Sequence, residues 1–138
     1  MGTTIRPELS NKNRYWIDRH RYYELKHFCL QYPLWKSAYY AFDGMSAGAA
    51  YTTVSRSTTP GDPTAKCAIA RLYYLDRMEM IERVAEDTDY SISKYLLKAV
   101  TEGVSYDYLK MKFNIPCSKD AYYDLYRKFF WLLSEERK

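Results

Sequence analysis

The sequence predicts an all-α fold. Apolar residues recur at helical spacing through several separate stretches, and no stretch alternates with period two for long enough to be a convincing strand. The prolines and glycines also fall where helices start and stop. At 138 residues the chain suits one main domain, with a core that needs no disulfide staples.

Met1 to Ser10 reads as a loose arm. Ser10 or Asn11 begins a first helix that runs to about Gln31, with Tyr22, Leu25, Cys29 and Tyr32 on one face at steps of three and four. Arg14, Arg21 and Lys26 lie on the other face, with Asp18 and Glu24 among them. Pro33 breaks this helix and opens the next, to about Phe42, because its fixed φ suits a first turn and its missing N–H costs nothing there.

Asp43 to Gly61 is rich in Gly, Ser, Thr and Ala, carries no helical stripe, and reads as a linker with a brief strand at most over Tyr51–Val54. Arg56 among hydroxyl residues is a phosphate contact only in principle, since no Gly-Lys-Ser/Thr follows Gly44 or Gly48. Asp62 as cap and Pro63 at the first helical position restart order. Ala68, Leu72, Leu75, Met78, Ile81 and Ala85 then mark a long helix to about Glu86. After the polar break at Asp87–Asp89, Ile92, Tyr95, Leu96, Ala99 and Val100 mark a shorter one that ends at Glu102, with Gly103 as a left-handed stop.

From Val104 to Lys138 the pattern is that of a helix-turn-helix. Ser105 caps a short helix over Asp107–Phe113, and Asn114-Ile115-Pro116-Cys117 ends it. Ser118 caps a longer helix with Asp120 in its positive first turn. The inward stripe of that last helix is Tyr122, Leu125, Tyr126, Phe129, Leu132 and Leu133. The chain thus divides into an N-terminal helical hairpin over 1–43, a flexible linker over 44–61, and a helical domain over 62–138 with the helix-turn-helix at 104–133.

The candidate DNA-contacting residues follow from the outward face of the last helix: Ser118, Lys119, Asp120, Tyr123, Arg127 and Lys128. Lys119 and Tyr123 are placed to reach base edges, and Arg127 and Lys128 to hold phosphates. Asp120 can accept from a cytosine amino group, although together with Asp124 it opposes simple phosphate tracking. Arg14, Arg19, Arg21 and Lys26 of the first helix are the auxiliary backbone contacts.

Charge is consistent with such a partner without requiring it. The net charge is +4, with the positive excess in residues 1–43 and 104–138 rather than in the middle. Sixteen tyrosines are large amphipathic filler that also offers hydroxyls to water, phosphate or a partner. Three widely spaced cysteines, Cys29, Cys67 and Cys117, point to a reducing cytoplasm rather than a disulfide framework. The expectation is a cytoplasmic protein with no signal peptide and no membrane partner.

No enzyme is expected, and no cofactor. His20 and His27 sit about 10 Å apart along a helix, too far to chelate one metal. Cys117 precedes a helix start, where a dipole can lower a thiol pKa, but no histidine is near it in sequence, and a small cysteine packed in the turn is the default. The chain holds no HExxH, GxSxG or Cys-x-x-Cys motif.

Residues Tyr95–Leu133 resemble the helix-turn-helix of sigma-factor region four. They look more closely like small phage transcriptional regulators of the RinA/ArpU type. The resemblance rests on Ser105, Tyr106 and Leu109 after a helix-ending glycine, on the Ile115-Pro116-Cys117-Ser118 turn, and on a helix that begins Lys119-Asp120-Ala121-Tyr122 and ends rich in Phe and Leu. The Asp62-Pro63-Thr64 start and the Tyr15–Pro33 segment are similar too. It implies activation of phage late genes by binding double-stranded promoter DNA, with RNA polymerase as a further partner. This helix carries fewer arginines than sigma-like recognition helices. A homodimer is compatible with the apolar surface of the 63–86 helix and the early hairpin. The alternative is a protein-interaction module, or a small DNA-packaging protein of the terminase kind, in which the helix-turn-helix is architectural or binds DNA non-specifically.

Overall fold

A computed structural model describes residues 13–41 and 63–138. The arm at 1–10, the helix start at Ser10 or Asn11, the linker at 44–61 with Arg56, and the Asp62 cap lie outside the described residues. All regular structure among the described residues is helical: α1 (Arg19–Leu30), α2 (32–41), α3 (Pro63–Thr88), α4 (Ser93–Glu102), α5 (Tyr106–Phe113) and α6 (Lys119–Glu136). The fold is all-α.

The first helix begins later than its sequence pattern suggests. Asn13 folds back on itself first: its side-chain oxygen accepts from the Tyr15 amide at 2.8 Å, and its carbonyl accepts from the Trp16 amide at 3.0 Å. Asp18, in an extended conformation, then caps α1 by accepting from the His20 amide at 2.9 Å. Local side-chain bonds of this kind compete with helix and win where a better cap lies a few residues on.

The chain forms two compact units, one of Met1–Gln31 with Ile81–Lys138 and one of Tyr32–Met80. The boundary after Gln31 differs from the expected 1–43 hairpin, because α1 packs on α4 and α6. Its stripe Tyr22, Leu25, Phe28 and Cys29 is buried.

In the second unit, Trp35 and Met78 are buried. The Arg71 guanidinium sits 4.9 Å from the centre of the Tyr39 ring and donates to its hydroxyl at 3.3 Å. The inner stripe expected of α3 is exposed in this half: Ala68 is open to solvent and Leu72 is 59% exposed. Ile69 and Tyr73 beside them are exposed as well. Helical periodicity identifies a face but not whether a partner covers it. From Ile81 onward the stripe is buried, at Ile81, Val84 and Ala85.

α3 ends two residues beyond the expected Glu86, with the Thr88 hydroxyl buried and bonded back to the Val84 carbonyl at 2.8 Å. Asp89 organises the link to α4: its carboxylate accepts from the Ser91 hydroxyl at 2.7 Å and from the Ser91 and Ile92 amides at 3.0 and 3.3 Å. These bonds, led by the Ser91 hydroxyl, hold the Asp89 carboxyl below its ordinary pKa. Gly103 then stops α4 at φ 72°, a left-handed conformation in which an L side chain is strained.

Candidate nucleic-acid interface

Helices α4, α5 and α6 share one core. Ile92, Leu96 and Ala99 of α4, Tyr106 and Leu109 of α5, Ile115 of the turn and Tyr122 of α6 form a single buried cluster. The α5–α6 connection is five residues, 114–118, and both helices are capped at their N-termini as the sequence suggests. Ser105 accepts from the Tyr108 amide at 3.1 Å and Ser118 from the Ala121 amide at 3.2 Å. Asn114 closes α5 at φ 50°, a left-handed conformation that asparagine tolerates better than most residues.

The turn is fastened from three sides. Ile115 is fully buried, and its amide donates to the Leu109 carbonyl at 3.4 Å. The Tyr106 hydroxyl donates to the Cys117 carbonyl at 2.7 Å. Lys110 reaches the Ile115 carbonyl at 3.4 Å. Buried apolar area and satisfied backbone groups together fix the direction in which α6 leaves the turn.

The far end of α6 is anchored to α1. Tyr22 packs edge-on to Phe130 with ring centres 5.2 Å apart, and its hydroxyl lies 3.0 Å from that of Tyr126. Arg137 places its guanidinium 3.7 Å from the centre of the Phe28 ring. Phe130, absent from the expected inward stripe, is buried alongside Phe129. The buried arc of α6 is therefore wider than one stripe. Leu125, Tyr126 and Leu132 of the expected stripe are only half-buried.

Against this frame the outward residues divide into groups. Ser118, Lys119, Asp120 and Asp124 are exposed at the start of α6, although the Ser118 side chain is engaged in its cap. Each cation of this stretch has a carboxylate near it. Lys119 lies 3.9 Å from Asp107 of α5, Arg127 is paired with Asp124 at 3.2 Å, and Lys128 acts electrostatically on Asp89. Lys119 and Asp107 are both exposed, and such a pair is worth at most about 1 kcal/mol. Arg127 and Lys128 are half-buried rather than fully outward. Tyr123 departs from the expected outward position. It is half-buried, packs on Tyr122 with ring centres 5.2 Å apart, and holds its hydroxyl buried without a hydrogen-bond partner among the described residues.

The α1 residues divide in the same way. Arg14 and Arg19 are exposed, with Arg14 stacked 4.9 Å from the Tyr15 ring centre. Arg21 is committed internally. It donates to the Ser134 hydroxyl and carbonyl, both at 3.1 Å, to the Arg137 carbonyl at 3.2 Å, and to Glu24 at 2.9 Å. Nothing in the local sequence reveals this partner, which lies more than a hundred residues away. Lys26 is half-buried, its ammonium 5.8 Å from the Tyr23 ring centre.

The residues considered for other chemistry take ordinary places. His20 and His27 are exposed, and among the described residues no three His, Cys, Asp or Glu side chains gather as metal ligands. Burial pushes the Cys29 thiol far above its usual pKa. Burial, with Asp89 nearby, also raises that of Cys117. Among the described residues no helix is long and apolar enough to cross a membrane.

α5 carries a feature that its sequence left unremarked. Met111 is 76% exposed, and Tyr108 and Phe113 beside it are partly open. Their rings lie 6.1 Å apart, and the Lys98 ammonium of α4 is 5.1 Å from the Phe113 ring centre. Comparison with known proteins adds no relative: no family model, no curated protein and no solved structure matches the chain.

Proposed function

We propose that this protein is a DNA-binding transcriptional regulator of phage or prophage origin, acting on late genes, in which α5 and α6 form the helix-turn-helix and α6 enters the major groove. The observation that carries the reading is the fastened turn. A buried Ile115, a tyrosine bonded to the Cys117 carbonyl and two serine caps aim the first turns of α6 outward as a rigid unit. Rigid presentation of a helix N-terminus is what base reading requires.

In this reading Lys119 and Asp120 approach base edges, while Arg127 and Lys128 exchange their carboxylate neighbours for phosphates. Ser118 holds the helix start, where backbone amides favour an anion. Arg14 and Arg19 remain available for backbone contacts from α1, whereas Arg21 serves the fold. Tyr123 supports α6 from within.

The neutralised charge of α6 and the open Tyr108–Met111–Phe113 patch also support a second reading, a protein-interaction or DNA-packaging module with RNA polymerase or another protein as the partner of α5. The test is selection of genomic DNA fragments by the purified protein at about 0.15 M salt, since binding without stated salt carries no meaning. Enrichment of a common promoter element supports the regulator. Uniform recovery of any duplex, abolished by raising the salt, favours the module.

A further inference from the structure

The first unit contains a cavity of about 220 Å³ where α1, α6 and the α4–α5 junction meet. Five tyrosines line it (Tyr22, Tyr106, Tyr122, Tyr123 and Tyr126), together with Lys26, Ser105 and a few apolar groups. Among the described residues Lys26 is the one charged residue of the lining, and no carboxylate lines the space. Lys26 makes no ion pair among the described residues.

Two properties of this lining select a ligand. The wall is aromatic, with neighbouring tyrosine rings inclined at 46–65°, which favours offset or edge contacts with another ring. Its single uncompensated charge is positive and half-buried, where an opposite charge interacts more strongly than in water. Burial raises the pKa of Tyr122 and Tyr126, so both keep their protons at neutral pH and add no negative charge.

The volume is below the roughly 300 Å³ at which drug-sized sites begin, which limits the ligand to about one ring and its substituents. A single lysine matches one carboxylate better than a doubly charged phosphate. We infer that this cavity is a binding site for a small aromatic carboxylate, held by Lys26 among the tyrosine rings. The site stands on its own lining and does not depend on DNA reading by α6.

The probes are benzoate and its neutral isostere benzamide, titrated into the isotopically labelled full-length chain at neutral pH while backbone amide shifts are followed. Benzoate is expected to give saturable shifts centred on Lys26, Val104, Ser105 and Tyr123, with benzamide weaker by about tenfold, the equivalent of 1.4 kcal/mol. Lys26→Met is expected to weaken benzoate by a similar factor and to leave benzamide unchanged. The benzoate and benzamide comparison on the unmodified protein keeps the test valid even if a variant folds poorly. Absence of saturable shifts with benzoate, or equal binding of the two probes, overturns the site and leaves it a water-filled space.

Discussion

Arg21 grips Ser134 twice, through its hydroxyl and through its carbonyl, each at 3.1 Å. The same guanidinium takes the Arg137 carbonyl at 3.2 Å. Carbonyls in the last turn of a helix lack intrahelical donors, and they carry the negative end of its dipole. A planar guanidinium with several donors satisfies two of them at once and ties α6 to α1. Replacing Arg21 with alanine is therefore expected to cost about 1–3 kcal/mol in urea unfolding. Lysine is expected to recover only part of that loss. A loss of DNA retention without a loss of stability would contradict this role.

Tyr106 and Cys117 form the corresponding bond at the other end of α6, 2.7 Å from hydroxyl to carbonyl. Tyr106→Phe keeps the buried ring and removes the donor. The expected cost is about 1 kcal/mol or somewhat more, with faster hydrogen exchange confined to residues 114–121. Uniformly faster exchange across the unit would instead indicate a general loss of packing.

Gly103 adopts φ 72°, and a Cβ added there meets only Leu30 Cδ2 at 3.5 Å, an ordinary contact. The penalty for Gly103→Ala is thus a backbone penalty alone, about 1–2 kcal/mol. Thermal unfolding measures it directly.

Several parts of this architecture are legible in the sequence, and the reason is locality. The serine caps at 105 and 118, the stop at Gly103 and the break at Asn114–Cys117 depend on residues within four or five positions, and the structure bears them out. The start of α1 was misplaced because Ser10, Asn11 and Asp18 are equally good caps by residue type. Only the turn at Asn13 decides in favour of Asp18. What escapes a local reading is long-range. Arg21 looks like a solvated charge until Ser134 is beside it, and Tyr123 looks outward until its ring packs on Tyr122. Leu72 looks like core by period but is exposed. Of the candidate interface, its position in the chain was legible. Which of its side chains are free was not.

Asp89 gives the fold an acid dependence with a definite sign. Its folded pKa lies below the ordinary value, chiefly through the Ser91 hydroxyl. Its contribution is therefore present above the unfolded pKa of about 3.9 and is lost as pH falls through the lower folded value. Asp89→Asn is expected to lower stability at pH 7 and to flatten the decline below pH 4. Unfolding curves between pH 2 and 7 for both proteins check it, and parallel profiles would exclude Asp89 as the source.

The most direct test of the central claim is retention of selected promoter fragments at about 0.15 M salt by the unmodified protein and by Arg127→Glu. Arg127 is half-buried and, among the described residues, pairs with its helix neighbour Asp124. One such pair within a long helix is worth little, so the variant is expected to keep its helical circular dichroism. The account predicts that retention falls at least about tenfold while the helical signal is unchanged. Unchanged retention by a folded Arg127→Glu variant would contradict the assignment of α6 as the recognition helix.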